Sequence, residues 1–184
     1  FNGNNTTING QSLNPRLNYY QKPVANFNWD WKIDEKANLS TVVYGSVARG
    51  GGQSSRKDLN AVSFLAADVN NHQWFGIVSN YNRELNENWN FNLGFDLRDY
   101  KGTHFRQATD LLGANSITHA GNVNFSNPIE VTDTYTTNPW KAFTDYPKDS
   151  ENKLAWEYNQ KIRYGGLFGQ IEYAKNDLTA FFQG

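Results

Sequence analysis

Asn26, Asn28, Asp30 and Lys32 recur at every second residue of one segment, and Asn90, Asn92, Asp96 and Arg98 take alternate positions in another. A period of two sets each row on one face of an extended strand. Amides and charges so arranged can hold water or a polar ligand, and two carboxylates ~5 to 9 Å apart can share acid and base duty. No spacing fixes Asp30 at that distance from Asp96 or Glu172, so contact with water or ligand is the expected role. His72, His104 and His119 lack the paired spacing of a metal site. The run Gly45-Ser46-Val47-Ala48-Arg49-Gly50 matches neither a nucleophile elbow nor a phosphate loop. Gly50, Gly51 and Gly52 are expected to loosen a strand end. Tyr135, Trp140, Phe143, Tyr146 and Trp156 form a second set, whose rings can stack on sugars or pack to order a loop. The candidate ligand contacts are therefore Asn26, Asn28, Asp30, Asn92, Asp96, Arg98, Tyr135 and Trp140. No catalytic residue, metal site or cofactor is expected.

The elements that carry these rows have a second, apolar face. Ala25, Phe27, Trp29, Trp31 and Ile33 alternate with the first polar row, and Phe91, Leu93, Phe95 and Leu97 with the second. Rows of rings this dense need a cover, and lipid is one. A third strand, His72 to Leu85, sets Phe75, Ile77 and Tyr81 against Trp74, Gly76, Val78, Asn80 and Asn82. The first strand is predicted from Tyr19 to Ile33 after a polar loop over Phe1 to Asn18. Short turns follow at Asp34 to Asn38, Asn86 to Asn88 and Ala174 to Asp177, with a return strand from Leu39 to Ala48 and a last pair from Tyr158 to Tyr173 and Leu178 to Gln183. Between them lie long connections, about 49–71 and 101–157. The first carries a predicted helix from Leu59 to Val69 capped by Asp58, the second a helical turn near Gln107 to Leu112. A structureless stretch of the second length argues against a compact soluble domain.

Composition narrows the classes. The chain has 184 residues, a net charge of −1, no Cys and an aromatic content of 15%. No basic excess or stripe attracts nucleic acid. No apolar run approaches the ~18 residues of a membrane helix, so a membrane reading requires a β-barrel, whose spans are short and half polar. A mean hydropathy of −0.73 is compatible with that. Trp29, Trp31, Tyr81 and Trp89 lie near the short turns, where an aromatic girdle would meet the membrane interface.

Tyr20-Gln21-Lys22-Pro23, Trp31-Lys32-Ile33-Asp34-Glu35-Lys36, Arg49-Gly50-Gly51-Gly52, Trp74-Phe75-Gly76 and Tyr164-Gly165-Gly166-Leu167-Phe168-Gly169-Gln170 together resemble the barrel of a TonB-dependent outer-membrane receptor of the Bacteroidota type. The resemblance spans nearly the whole chain and consists of strand texture and short segments. It implies an all-β fold, an antiparallel transmembrane β-barrel segment of about six strands with long extracellular loops and short periplasmic turns. Such receptors close about 22 strands around a plug, so residues 1–184 are expected to be part of a larger barrel, with the plug and the remaining strands outside this sequence. The implied function is import of a large nutrient (glycan, peptide or metal chelate) at the cell outer membrane, without enzymatic activity. The implied partners are the TonB complex, met through an N-terminal region outside this sequence, the receptor's own plug, outer-membrane lipid and, as a further candidate, a surface lipoprotein. Two rival readings remain open: a soluble β-sandwich that binds carbohydrate, and a secreted β-rich enzyme using Asp30 or Asp96.

Overall fold

The structure, a computed structural model, describes residues 6–8, 11–122, 124–125 and 127–184. Its tight turns form where short polar side chains accept backbone hydrogens. Asp34 Oδ1 accepts from the Lys36 amide at 2.7 Å, and Asn86 Oδ1 from the Asn88 amide at 3.0 Å. At the third turn Asn176 takes φ 54°, a left-handed conformation that Asn tolerates.

The strands in chain order are β1 (Thr6–Ile8), β2 (Gln11–Leu13), β3 (Leu17–Gln21), β4 (Val24–Lys32), β5 (Ala37–Lys57), β6 (Ser63–Asn86), β7 (Trp89–Asp110), β8 (Ile117–His119), β9 (Ile129–Val131), β10 (Leu154–Lys175) and β11 (Leu178–Gln183). Hairpins β1–β2 and β8–β9 stand as separate two-stranded sheets. The main sheet runs β11-β10-β7-β6-β5, with β3 and β4 both antiparallel to β5. The fold is all-β, an antiparallel sheet of the kind a stretch of barrel wall provides, and no α-helix occurs among the described residues.

Several expected boundaries are corrected. The first strand is two, β3 and β4, because Pro23 has no N–H for a ladder; its carbonyl instead accepts from the Val47 amide at 3.4 Å. The long connection over 49–71 is mostly strand, since β5 continues to Lys57 and β6 begins at Ser63. No helix forms over Leu59 to Val69. Asp58 caps a turn there, its Oδ1 accepting from the Asn60 and Val62 amides at 2.8 Å each and its Oδ2 from the Thr118 amide at 2.9 Å. Gly50 to Gly52 lie inside a ladder opposite Tyr20 to Asn18, so they do not loosen a strand end. Gly50 has φ 155°, and a β-carbon there would stand 2.2 Å from the Tyr19 carbonyl oxygen, which only glycine avoids. The helical turn near Gln107 is strand to Asp110, followed by a turn with Leu112 at φ 54° and Gly113 at φ 89°. The long loop thus shrinks to 111–153, containing β8, β9 and two 3-10 turns. Of the predicted loop over Phe1 to Asn18, residues 1–5 and 9–10 lie outside the described residues; the rest includes β1, β2 and the start of β3.

The chain divides into two units. The first comprises residues 1–23, 47–72 and 102–160. Its core has two clusters, one built on Phe64, Ala66, Ala108, Ile117, Val131 and Leu154, the other on Tyr19, Ala67, Val69, Phe105 and Ala142. Alternate residues of β6 and β7 feed the two clusters, so both faces of these strands are buried here. The Tyr19 hydroxyl, buried in the second cluster, accepts from Gln107 Nε2 at 3.2 Å; burial pushes its pKa up to about 12, against the opposing pull of that hydrogen bond.

The second unit comprises residues 24–46, 73–101 and 161–184. Residues opposite one another in an antiparallel ladder share a face, so the pairing of Asp30 with Ser40 and of Phe27 with Val43 sorts β4 and β5 into the polar and apolar faces expected from their alternation. On the apolar face Phe27, Trp29, Trp31, Val43, Phe75, Leu93, Leu97, Leu167 and Phe182 all remain exposed, Phe27 at 68% and Leu167 at 82%. No second layer of protein covers these rings among the described residues.

Candidate functional site

The alternation of β4 to β7 brings its polar residues together on one face of the second unit. Ser40 Oγ donates to Asp30 Oδ1 at 2.6 Å, Asn82 Nδ2 to Asn38 Oδ1 at 3.1 Å, and Asn92 Nδ2 to Asn82 Oδ1 at 2.5 Å. Each bond joins adjacent strands across the ladder. This chain of amides borders a concavity of about 940 Å³, lined among others by Asp30, Lys32, Ser40, Asn82, Asn92 and Glu172. That volume lies within the range of small-molecule sites, ~300 to 1,000 Å³. Its walls offer donors and acceptors in comparable number, with charges of both signs.

Farther along the same face, Arg98 Nε donates to both oxygens of Asp96 at 3.0 Å, and Nη2 closes the fork at 2.5 Å. The guanidinium lies 5.7 Å from the centre of the Tyr164 ring. Asn26 pairs with Tyr44, and Asn28 with Val42, on the exposed strand β4. Asn26, Asn28, Asp30, Asn92, Asp96 and Arg98 therefore share the polar face of the second unit.

The face also carries rings that the strand alternation alone did not single out as a site. Tyr44, Trp74, Tyr164 and Phe168 project on the polar side, and glycines make room for Tyr44, Tyr164 and Phe168. A β-carbon at Gly76 would stand 2.3 Å from the Tyr44 ring, and one at Gly94 would stand 2.2 Å from Phe168. The legible signal was glycine recurring at polar-face positions of β6, β7 and β10.

The four girdle candidates fall into contacts near the short turns. Trp29 and Trp31 stack at 6.0 Å and 8°, Trp89 packs on Tyr173 at 4.9 Å, and the Tyr81 hydroxyl accepts from Arg83 Nη1 at 3.1 Å.

Tyr135 and Trp140 belong to the first unit. Tyr135 is half-buried, and its amide donates to the Ala108 carbonyl at 2.9 Å; Trp140 is 65% exposed and lies 6.5 Å from Phe143. Phe143 lies under Arg49 at 5.5 Å, Tyr146 packs on Phe105, and Trp156 lies under Arg106 at 5.9 Å. Phe143 and Tyr146 thus pack within the loop, Trp156 lies on β10, and Trp140 is left largely exposed. In the same unit Asp68 accepts from Arg106 at 2.6 Å and Arg56 at 3.3 Å, a half-exposed network. His104 Nδ1 contacts Asn70 Oδ1 at 2.7 Å and its ring stacks on Tyr158 at 4.6 Å. Burial lowers the pKa of both His104 and its neighbour His72, so both are neutral near pH 7. Among the described residues no group of three or more His, Cys, Asp or Glu side chains is placed to hold a metal.

No protein family, curated protein or solved structure matches the chain.

Proposed function

We propose that this chain is a stretch of the wall of an outer-membrane receptor that imports a large nutrient with energy supplied through TonB. The observation that carries the membrane part is the length of the apolar band. On β7 it begins at Trp89, passes through Phe91, Leu93, Phe95 and Leu97, and stops at Asp99, whose Oδ2 accepts from Arg163 Nε of β10 at 3.0 Å. Ten steps at ~3.3 Å, tilted by ~45°, cross about 23 Å. The apolar band of an outer-membrane barrel is ~25 Å tall. Paired rings at the short-turn end suit the headgroup level of such a band.

The receptor type rests on the segments that resemble TonB-dependent barrels, Trp31 to Lys36 and Tyr164 to Gln170 among them. In this reading the polar face meets the water-filled lumen or the plug, lipid covers the apolar face, and the wall makes and breaks no bond. Selectivity comes from lumen and loop contacts. The experiment is expression of the full-length protein in a Gram-negative host with and without its TonB complex. Recovery in the outer membrane, resistant to alkaline extraction, with nutrient uptake lost on removing TonB, is expected. A full-length protein that stays in solution without detergent, as a soluble carbohydrate-binding sandwich would, refutes the proposal.

A further inference from the structure

We infer that a cleft on the polar face, lined by Trp74, Arg98, Ile162 and Tyr164, is a subsite for one neutral sugar ring. The inference rests on the import reading, which leaves the nutrient's class open, and supplies that class.

Size comes first. The cleft holds about 230 Å³, below the ~300 to 1,000 Å³ of sites for drug-sized ligands. It suits a single ring of a longer molecule. Its lining residues lie on the polar face of β6, β7 and β10, and Tyr164 and Ile162 are each 54% exposed, so these two side chains are open to a ligand. Trp74 is braced by a tilted contact with the ring of Tyr100, itself buried, at 4.5 Å between ring centres. A braced indole beside an exposed phenol ring offers flat π surface of the kind that covers the C–H face of a pyranose.

Charge then selects among ring-shaped ligands. Asp96 neutralises Arg98 through a bidentate fork, so the cleft has no net charge to attract a carboxylate, a phosphate or an amine. The pair still has hydrogen-bonding capacity. Of the five N–H groups of a guanidinium, Nε–H and one Nη2–H face Asp96, which leaves three for a ligand. Donors fixed in a plane beside an aromatic surface match adjacent hydroxyls on a sugar ring. Peptide side chains or metal chelates would gain less, because the first lack paired hydroxyls and the second carry charge. Farther along the same face, the amides Asn82 and Asn92 of the larger concavity, set among charges of both signs, offer two-way hydrogen bonding to further rings of a chain.

The test uses full-length protein in detergent micelles, titrated with maltohexaose, xylohexaose, mannohexaose and, as the charged control, hexagalacturonate, with tryptophan emission and calorimetry as readouts. At least one neutral hexaose binds, insensitively to salt, and hexagalacturonate does not bind more tightly. Tyr164→Ala and Arg98→Lys each weaken that binding by about ten- to a hundredfold, while heat-modifiable gel mobility shows both variants folded. Trp74→Phe, which narrows the stacking surface, weakens the affinity by about two- to tenfold and removes most of the emission change. Failure of all three neutral hexaoses, preference for hexagalacturonate, or unchanged affinity in folded Tyr164→Ala overturns the inference. Membrane recovery is measured on the same preparations: a protein that resides in the outer membrane yet binds no neutral hexaose refutes the cleft alone, and a soluble protein refutes the import reading instead.

Discussion

Leu167→Arg separates a lipid-covered face from a water-covered one. Leu167 is 82% exposed, and on a wetted surface an exchange at such a position changes stability by no more than about 0.5 kcal/mol. In hydrocarbon the cost depends on depth. The β-carbon position of Gly165 touches Leu97, and that of Gly169 lies near Leu93, so Leu167 stands level with Phe95. That is about four residues from Asp99 and six from Trp89, or ~9 Å and ~14 Å along the bilayer normal at the usual rise and tilt. Close to the midplane, an arginine costs about 2 to 4 kcal/mol. Leu178 supplies the internal control. It is 61% exposed and pairs with Lys175 beside the short turn, where the same exchange costs about 0 to 1 kcal/mol. The assay is guanidinium unfolding of the full-length protein refolded into lipid vesicles, followed by tryptophan emission. Equal stability of Leu167→Arg, Leu178→Arg and the unaltered protein would falsify the lipid assignment of this face, whatever the uptake data say.

Gly76→Val drives a β-branched side chain into the Tyr44 ring, which stands 2.3 Å from the first added carbon; a loss of about 1 to 3 kcal/mol is expected from overpacking, recovered in part by adding Tyr44→Ala, with the same unfolding assay as the check. Tyr19 holds its proton to about pH 12 in the fold against about 10 unfolded, so its contribution is fully present below pH 10 and is lost as pH rises toward 12; alkaline unfolding curves of Tyr19→Phe should lack that step. Asp58 accepts three backbone hydrogens, the one from Thr118 being the strongest influence in holding its pKa below the usual carboxylate value. Its support is present above that usual value and lost as pH falls through the lowered one, so Asp58→Asn should raise hydrogen exchange at the Thr118 amide at neutral pH and remove its acid dependence.

Where one face of a strand met rings and the other met amides, the alternation was plain, and Val24 to Lys32, Trp74 to Asn82 and Asn90 to Arg98 took the faces expected of them. Turns at Asp34 and Asn86 were legible because their side chains do the turning. The errors cluster in the first unit. From Phe64 to Ala67 four consecutive residues are buried, and Phe105, Gln107 and Ala108 are nearly inaccessible. With core on both sides of the strand the period of two vanishes, and an apolar run such as Ala61 to Val69 then looks helical. The polar row was legible as a candidate site, but the cleft beside it was not, because Trp74, Arg98, Ile162 and Tyr164 meet only once three strands are in register.

The glycines that seat Tyr44 and Phe168 have a consequence for how such a sheet assembles. Each ring fits a neighbouring strand only where the β-carbon is missing. If β6 slid by two residues against β5, Trp74 or Val78 would arrive under Tyr44, and if β10 slid likewise against β7, Asn92 or Asp96 would arrive under Phe168. Both slips keep every face assignment intact, so hydrophobic patterning alone does not forbid them. The ring-and-notch fit does, and it acts as a ratchet tooth that lets a growing sheet stop at one alignment.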